Sequence, residues 1–454
     1  MCVRASLIGH CSMTESPPSP PPDPDSSASS VEPSLVTFGC RMNTYESEVI
    51  RAHVNAAGLK NVVVVNTCAV TQEAERQARQ NIRRLKRQNP DTRIIVTGCA
   101  AQLNPATFAH MPEVERVMGN GEKLRAESWR FEHTDPVQVG DIMEIRETAG
   151  HLVEGFEGRT RAFVQVQQGC DHRCTFCIIP FARGPNRSVP LGPLVEQTQA
   201  LVTRGYRELV LTGVDITAYG QDLPGQPSLG QIVRRLLRLV PDLPRLRLTS
   251  LDPVEIDTDL LHLFEVEDRL LPHVHLSAQS GDNMILKRMK RRHLRQDVLD
   301  VCHDLRRRRP DIVFGADFIV GFPTETEEMF QNTLRLVEEA DLSYLHVFPY
   351  SARSGTPAAR MPAVAGPVIR QRAAQLRDAG KKAVDRMLQK QIGQVVSVLF
   401  ETEAMGRTPS YAPVTVTQTG HAGGGPCGAG HAGAIHPVRL IGFDHDKLIG
   451  EIVS

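Results

Sequence analysis

The sequence lacks net charge, long apolar runs and most of the aromatic side chains that a base-stacking surface would use. Its 52 Lys and Arg are balanced by 52 Asp and Glu, and aromatic residues make up 5% of the 454 residues, with a single Trp. A neutral chain gives no overall signal of nucleic-acid binding, so any basic footprint has to come from local clusters. No run approaches the roughly 20 apolar residues that a membrane helix needs.

The amino-terminal region lacks the features of a secretory signal. Its segment from Met1 to Met13 holds one Arg and a short apolar patch, which is too little for a signal peptide. We therefore expect a cytoplasmic protein with no membrane partner. Residues 14–34 are dominated by Pro, Ser and Asp, which cannot bury enough apolar surface to order the chain. We interpret residues 1–34 as a disordered tail, with Met13 as an alternative start.

Ten cysteines are present, and their setting argues against a disulfide scaffold. In a reducing cytoplasm, patterned cysteines more often mean metal or redox chemistry. Four of them, Cys2, Cys11, Cys302 and Cys427, show no pattern and are interpreted as inert small hydrophobes. The other six fall into two groups of three.

The first group follows a repeated unit of strand, cysteine and helix within residues 35–125. Each of three β-prone runs ends shortly before a cysteine: Leu35–Phe38 before Cys40, Val62–Val65 before Cys68 and Ile94–Val96 before Cys99. Residues 71–89 have helical periodicity, with an apolar face. Strand–helix alternation predicts a parallel sheet, in which ligands gather at the carboxyl ends of the strands. Three unrelated buried cysteines would not be expected at the same strand end three times.

Residues 126–160 are less regular and are interpreted as a linker, after which six β-prone runs alternate with helical stretches over residues 161–387. The runs are Ala162–Val166, Glu208–Thr212, Arg245–Thr249, His273–Ser277, Ile312–Ile319 and Tyr344–Tyr350. Helices are predicted at 228–240 and 324–340, with Ser228 and Thr324 as caps. A complete (β/α)₈ barrel needs eight units, so six predict a partial barrel.

From about residue 388 the predicted helices disappear. Short runs broken by Gly and Pro follow: Val395–Phe400, Pro413–Thr417, Val438–Phe443 and Leu448–Ile452. They predict a small antiparallel β-barrel over residues 388–454, with a flexible Gly/His/Ala loop at 420–434. The expected fold class is α/β: a parallel α/β domain, a partial barrel and a small carboxyl-terminal β-barrel.

The second cysteine group is Cys170, Cys174 and Cys177, with the spacing C-x₃-C-x₂-C directly after the first predicted barrel strand. Thiolates clustered this closely bind iron–sulfur clusters or structural zinc. A structural zinc site needs a fourth protein ligand, and His172 would be strained if it faced the same ion as its neighbours. Three thiolates on a four-iron cluster leave one iron open for a small molecule. The spacing therefore favours a cluster, with zinc as the alternative.

This motif at the end of the first barrel strand resembles the radical S-adenosylmethionine superfamily, as does Phe176 before its last cysteine. The resemblance implies that the open iron binds S-adenosylmethionine, which is cleaved to a 5′-deoxyadenosyl radical. Residues 38–43, 66–68 and 97–99 resemble the amino-terminal domain of methylthiotransferases. They imply that Cys40, Cys68 and Cys99 hold a second [4Fe–4S] cluster, which delivers sulfur. The final segment resembles the TRAM domain, a small tRNA-binding barrel.

Other matching segments imply contacts with S-adenosylmethionine but no catalytic residue beyond the cluster ligands. Gly213 lies at the second barrel strand end, where the family's glycine segment meets the methionine amino group. Ser277, Gln279 and Asp317 lie at later strand ends, in stretches that resemble cofactor-pocket segments. The alternative is that Ser, Gln and Asp here cap helices and order loops.

Two basic segments are candidates for contact with a phosphate backbone. Residues 76–93 hold seven Lys and Arg against Asp91, and residues 287–309 hold ten against three Asp. Solvated helix faces also carry such charge. Phe181, beside the cluster loop, is one of few aromatic candidates for stacking on a splayed anticodon loop.

Within the methylthiotransferases, residues 167–190 and 212–215 most resemble the group that modifies threonylcarbamoyladenosine. This resemblance implies transfer of a methylthio group to C2 of N6-threonylcarbamoyladenosine at position 37 of tRNA. It also implies a one-electron donor such as flavodoxin or ferredoxin, and a sulfur donor. The alternatives are action on isopentenyladenosine in tRNA or on a ribosomal protein, a radical enzyme whose second cluster only relays electrons, and a zinc-stabilised RNA-binding protein.

Overall fold

The computed structural model describes residues 32–130, 135–146, 153–156, 158–416 and 431–453. Most of the predicted tail, the predicted loop at 420–434 up to residue 430, and Cys2, Cys11 and Cys427 lie outside these ranges. Among the described residues, no helix has the length and apolar character needed to cross a bilayer.

The amino-terminal unit is a five-stranded parallel sheet in the order β1-β2-β3-β4-β5. Its strands are β1 Ser34–Thr37, β2 Val62–Thr67, β3 Arg93–Gly98, β4 Arg116–Met118 and β5 Val137–Gln138. Its helices are α1 Arg41–Ala56, α2 Gln72–Gln88, α3 Cys99–Leu103 and α4 Pro105–Ala109. The six residues of β2 are all buried, as expected for a β-branched run covered on both faces. The predicted parallel sheet is confirmed.

Part of the stretch assigned to a linker belongs to this sheet. Strand β5 pairs with β4, so the sheet extends beyond residue 125. The side chain of Trp129 is fully buried, and its Nε1 donates to the carbonyl of Lys123 at 3.0 Å. Two-residue strands carry too little periodicity to be read from sequence.

The central unit is a partial barrel of parallel strands. Its strands are β6 Arg161–Gln165, β9 Glu208–Thr212, β10 Arg245–Leu248, β11 Ser250–Leu251, β12 His273–Gln279, β13 Val313–Val320 and β14 Leu342–Pro349, with a short ribbon of β7 Gln167–Gln168 and β8 Arg187–Ser188. The pairing orders are β10-β9-β6 and β11-β12-β13-β14, and β11 continues β10 after Thr249. Counting that interrupted strand once gives the six predicted strands.

Helices alternate with these strands. They are α5 Ile179–Arg183, α6 Leu191–Thr203, α7 Leu229–Leu239, α8 Thr258–Val266, α9 Asn283–Met289, α10 Arg295–Arg308, α11 Glu327–Glu339 and α12 Gly366–Gln389. Ser228 caps α7 as predicted, since its side chain accepts from the Gln231 amide at 3.3 Å. The predicted cap at Thr324 is wrong: Thr326 caps α11, and Thr324 has a left-handed backbone (φ 70°) that does not match the extended conformation of a cap.

The carboxyl-terminal unit is a closed barrel in the order β15-β16-β17-β19-β18. Its strands are β15 Val395–Phe400, β16 Met405–Arg407, β17 Pro413–Val416, β18 Ile435–Asp444 and β19 Lys447–Ile452. The predicted small barrel is confirmed, with one added strand, β16, and one parallel pair, β17 with β19.

Tyr411 joins the two barrels. Its ring lies under guanidinium groups of the partial barrel, Arg161 at 5.2 Å and Arg247 at 5.0 Å, and of the small barrel, Arg407 at 4.6 Å. Burial raises the pKa of Tyr411, but nearby guanidinium groups, with Arg161 foremost, outweigh that effect and lower its pKa to about 7. A phenolate at this interface would complement the cations around it.

Candidate metal centres

The three amino-terminal cysteines lie together at the carboxyl edge of the first sheet. Cys40 precedes α1, Cys68 directly follows β2, and Cys99 is the first residue of α3 after β3. Since β1, β2 and β3 are neighbours in the sheet, the three thiols converge. Burial, and then the thiols of Cys99 and Cys40, raise the pKa of Cys68 to about 12. A metal would have to stabilise the thiolate forms here, as metal binding does at thiolate sites.

Two glycines allow this convergence. Gly39, at φ 101°, leaves no room for a side chain, since a Cβ there would lie 2.8 Å from Cys68 Cβ and 2.9 Å from Cys68 Sγ. Gly98, at φ 96°, would place a Cβ 2.4 Å from the backbone of Thr67. Only glycine adopts this backbone region readily and tolerates such a close approach.

Asparagine side chains tie these strand ends to one another. Asn43 Nδ2 donates to the carbonyls of Phe38 at 2.6 Å and Thr67 at 3.0 Å, the residues that lead into Cys40 and Cys68. Asn120 Nδ2 lies 3.7 Å from Cys99 Sγ and donates to the Ala182 carbonyl at 2.7 Å. The cysteine positions are therefore fixed by buried backbone contacts as well as by the sheet.

The barrel cysteines lie in a loop after β7 that is anchored to helix α9. The Thr175 amide donates to the Met289 carbonyl at 3.0 Å, and Thr175 Oγ1 donates to the Arg288 carbonyl at 2.8 Å. Phe176 packs edge-on against Phe322, with ring centroids 6.4 Å apart. Burial raises the pKa of Cys177 to about 12. The three thiols share one short, well-held loop, which suits a cluster with three protein ligands.

His172 lies beside two carboxylates, and its ring, the Cys170 thiol and an Asp215 oxygen all lie within 4.8 Å of one another. Its Nε2 lies 2.8 Å from Asp215 Oδ2 and 3.9 Å from Glu255 Oε2. Its hydrogen bonds with Asp215 and then Glu255 raise the pKa of His172 to about 9. A protonated imidazole donates from both nitrogens, which suits the position of His172 beside two carboxylates. Cys170 Sγ is itself 3.7 Å from Asp215 Oδ2, so one residue, Asp215, contacts both sides of the loop.

Arg291 is a site residue that the sequence analysis missed. Its Nη1 lies 3.8 Å from Cys174 Sγ, and its Nη2 donates to Asp252 Oδ2 at 2.8 Å and to the Ser277 carbonyl at 3.0 Å. It lies within a basic run, where a single arginine gives no signal of its own. Its position places a cation beside the barrel cysteines.

The four predicted cofactor contacts lie at strand ends, as expected, but in different settings. Gly213 follows β9 beside Gln167, whose Oε1 accepts from the two amides after Gly213 at 2.9 Å. Ser277 is joined to the cysteine loop through Arg291. Gln279 ends β12 with a left-handed backbone, φ 64°.

Asp317 is held within a histidine network. His275 Nε2 and His346 Nδ1 lie 2.9 Å and 3.0 Å from its Oδ1. Burial raises the pKa of Asp317, but the two histidines outweigh that effect and hold it well below its usual range. Its described hydrogen bonds run to β12 and β14 and not to the cysteine loop.

The two cysteine sets are brought together by residues 178–183, which directly follow Cys177. Ala182 is fully buried in the apolar cluster that contains Cys68 and Cys99, and Ile178 packs against that cluster. Arg183 pairs with Glu46 of α1 at 2.7 Å and donates to Asn43 Oδ1 at 2.6 Å. The barrel loop is therefore part of the amino-terminal core.

The two basic segments differ in how far their charge is neutralised. In the second segment most arginines pair with carboxylates: Arg291 with Asp252, Arg292 with Glu255, Arg295 with Glu339 and Arg308 with Glu265. On α2, Arg83 and Arg84 are exposed and form no ion pair with any described residue. The predicted phosphate contact is thus better supported at α2 than at residues 287–309.

Comparison with known proteins agrees with this arrangement. Residues 164–337 match the radical SAM superfamily, and residues 33–119 match the uncharacterized protein family UPF0004. The chain is 54% identical to the threonylcarbamoyladenosine tRNA methylthiotransferase MtaB of Rickettsia prowazekii, over 84% of this chain and 90% of that protein. It is 39% identical to MtaB of Bacillus subtilis, over 72% and 74% of the two chains.

Two further matches are more distant. A tRNA-2-methylthio-N(6)-dimethylallyladenosine synthase of Cereibacter sphaeroides is 35% identical, over 92% of this chain and 97% of that protein. Among solved structures, the radical S-adenosylmethionine methyltransferase TsrM of Kitasatospora setae aligns with a TM-score of 0.53 at 14% identity, over 72% and 77% of the chains. At that identity the likeness supports the fold alone.

Proposed function

The chain belongs to the radical S-adenosylmethionine tRNA methylthiotransferases, and we propose that it transfers a methylthio group to C2 of N6-threonylcarbamoyladenosine at position 37 of tRNA. The observation that carries the proposal is that residues 178–183, which follow the barrel cysteines, pack into the core that contains Cys68 and Cys99. An enzyme that activates a carbon at one centre and supplies sulfur at another needs both centres at one substrate atom.

The chemistry explains why such a site is needed. C2 of adenine carries an unactivated C–H bond that no general base near pH 7 could usefully deprotonate, so the cofactors have to supply the difficult step. When bound, two [4Fe–4S] clusters and S-adenosylmethionine supply the one-electron chemistry, the sulfur and the methyl group. We assign Cys170, Cys174 and Cys177 to the first cluster and Cys40, Cys68 and Cys99 to the second.

The polypeptide's own part is to bind and orient. Arg291, fixed by Asp252, offers a cation beside Cys174 that would pair with an anionic group held there. Gly213, Ser277, Gln279 and Asp317 stay proposed contacts of the cofactor pocket, with Ser277 best supported through its link to Arg291.

The tRNA contact is proposed for three features. Exposed arginines on α2 suit a phosphate backbone, and the small barrel at 388–454 is the proposed TRAM-like module. Phe181, with 53% of its surface exposed, lies in α5 beside the cluster loop and could stack on an unpaired base. We further propose that the enzyme works in the cytoplasm with a flavodoxin- or ferredoxin-like electron donor and a separate sulfur donor.

Mass spectrometry of tRNA nucleosides from cells that lack this gene tests the substrate. We expect 2-methylthio-threonylcarbamoyladenosine to disappear and its unmethylthiolated precursor to accumulate, with restoration by the wild-type gene and none by Cys174→Ala. Persistence of that nucleoside together with loss of the isopentenyladenosine product would reassign the enzyme to the second target.

Iron, sulfide and zinc analysis of anaerobically purified protein tests the cofactors separately. Iron and sulfide sufficient for two four-iron clusters are expected. Stoichiometric zinc without sulfide would instead support the zinc-stabilised RNA-binding protein.

A further inference from the structure

Three charged side chains are buried together between the two cysteine sets. Glu46, on α1, pairs with Lys123 Nζ at 2.6 Å and with Arg183 Nη1 at 2.7 Å. Glu46 and Lys123 have no exposed side-chain surface, and Arg183 has 2%. Charged residues are almost never buried this completely unless they are paired.

The network connects both units of the site. Arg183 ends α5, six residues after Cys177, and Gln168 Nε2, two residues before Cys170, lies 3.4 Å from Glu46 Oε1. On the other side, Lys123 Nζ is 3.4 Å from Asn66 Oδ1, two residues before Cys68. Glu46 is therefore linked to the flanks of both cysteine sets, directly to Gln168 and through Lys123 to Asn66.

The charges in this network do not balance. Burial raises the pKa of Glu46, but Arg183 and Lys123 outweigh that effect and lower it to about 2, so the carboxylate is ionised. Burial lowers the pKa of Lys123 and Glu46 opposes that effect, with the ammonium held 2.6 Å from the carboxylate. Two cations and one anion leave one positive charge in excess, and a buried uncompensated charge is costly. The next basic residue, Arg187, lies behind Arg183 with Asp222 and Asp171 nearby and adds no anion to the network.

One side chain links the network to the amino-terminal thiols. Arg183 donates to Asn43 Oδ1 at 2.6 Å, and Asn43 Nδ2 donates to the carbonyls of Phe38 and Thr67, the residues that lead into Cys40 and Cys68. Cys99 contributes to the electrostatic environment of both Lys123 and Arg183, and Cys40 to that of Arg183. Arg183 in turn acts on Cys68. Each thiol of this set thus lies in the field of the network.

We infer that Glu46, Lys123 and Arg183 form the counter-charge of the second cluster and set its reduction potential. The inference rests on the proposed function, which assigns that cluster to Cys40, Cys68 and Cys99. Three thiolates and an oxidised [4Fe–4S] core, with two positive charges, carry one net negative charge, which the excess cation compensates. These residues act through the cluster and are positioning residues, not catalytic ones.

Charge-changing variants test this inference, and the best background is Cys170→Ala/Cys174→Ala/Cys177→Ala, in which only the amino-terminal cluster can be present. Reduction of that cluster with mediators would be followed by electron paramagnetic resonance. Lys123→Met removes a cation and should lower the potential, because the added electron is then less stabilised. Glu46→Gln removes the anion and should raise it. We expect about a tenfold change in the reduction equilibrium each way, which is 59 mV for one electron.

The double variant Glu46→Gln/Lys123→Met separates charge from structure. It restores the original net charge, so its potential should return towards that of the background protein, although both side chains are lost. The inference would be overturned if both single variants kept the potential of the background protein, or if all three variants shifted it equally in the same direction. If Lys123→Met alone holds no cluster, the comparison of Glu46→Gln with the double variant still decides.

A matched control lies at the opposite end of the partial barrel. Glu208 is also fully buried and pairs with Arg247 at 2.7 Å, so Glu208→Gln removes a buried carboxylate far from the cysteines and should leave the potential unchanged. Iron and sulfide analysis of the background protein distinguishes failure of the cluster assignment from failure of the counter-charge inference. Absence of any cluster would refute the assignment of Cys40, Cys68 and Cys99, whereas a cluster with an unresponsive potential would refute the counter-charge alone.

Discussion

Replacing Arg83 and Arg84 with Gln should weaken tRNA binding in a way that reveals lost phosphate contacts. Both side chains are exposed on α2, and neither forms an ion pair with a described residue. They can therefore approach a phosphate without first giving up a carboxylate partner. Gln is nearly as good a helix former as Arg, so the helix itself should be preserved.

The expected magnitude follows from counterion release. Each phosphate contact contributes about 0.7 to 0.9 to the slope of log K against log salt concentration, so two lost contacts should reduce that slope by about 1.4 to 1.8. Between about 50 and about 200 mM salt, this corresponds to a salt-induced loss of affinity that is about 7- to 12-fold smaller than in the wild type. A change in affinity without a change in slope would indicate a different cause.

The assay is equilibrium binding of unmodified tRNA at several salt concentrations. Its control is Arg307→Gln/Arg308→Gln, which removes the same charge from α10. Both arginines pair with Asp304, and Arg308 also lies 2.8 Å from Glu265, so these cations are already neutralised. Equal slopes for the two double variants would refute the reasoning, since binding would then respond to overall charge and not to the α2 surface.

Three further predictions concern the metal centres and the barrel interface. Cys174→Ala should lose the iron of the barrel cluster, whereas Cys302→Ala, which alters a buried cysteine outside both sets, should keep all iron in the same analysis. Gly39→Ala should lose the iron of the amino-terminal cluster alone; full iron content would contradict the close approach to the neighbouring thiol. The pKa of Tyr411 is about 7 in the folded protein and about 10 in the unfolded chain. The stabilisation that its ionised form gives the folded state is therefore complete above pH 10 and is lost as pH falls through 7. The free energy of unfolding should therefore rise from pH 7 to 10 by about 2–4 kcal/mol relative to Tyr411→Phe in denaturant titrations, and parallel pH profiles would contradict the assignment.

Local patterns were sufficient for most of the fold. Short β-prone runs predicted strands such as Glu208–Thr212 and Val395–Phe400 at the bounds the structure has. The failures have local causes. Strand β16 has three residues and contains a Gly, and the cap before α11 shifted from Thr324 because the chain first makes a left-handed turn there. Neither feature produces a periodic signal.

The site was predictable where chemistry is concentrated in one residue type. Spacing, strand position and resemblance predicted two sets of three cysteines, and the structure places each set together; their role as cluster ligands stays a prediction. The charged residues around the cysteines could not be predicted, because Glu46, Lys123 and Arg183 are distant along the chain and each resembles an ordinary surface charge. The basic run at 287–309 carries less unpaired charge than its sequence indicates for a related reason: its neutralising carboxylates, such as Asp252 and Glu265, lie outside the segment whose charge was counted.

The short connection from Cys177 to Arg183 has a consequence for how the site is assembled. Residues 179–183 are helical, and a rise of 1.5 Å per residue makes this helical stretch about 6 Å long, with only Ile178 between it and Cys177. The residue that flanks the barrel set is therefore also the one that pairs with Glu46 beside the amino-terminal set. Moving the amino-terminal unit away would expose Ala182 to water and break the ion pair between Arg183 and Glu46. Within the part of the chain that the structure describes, core packing and a buried ion pair thus hold the segment after the barrel cysteines against the amino-terminal set.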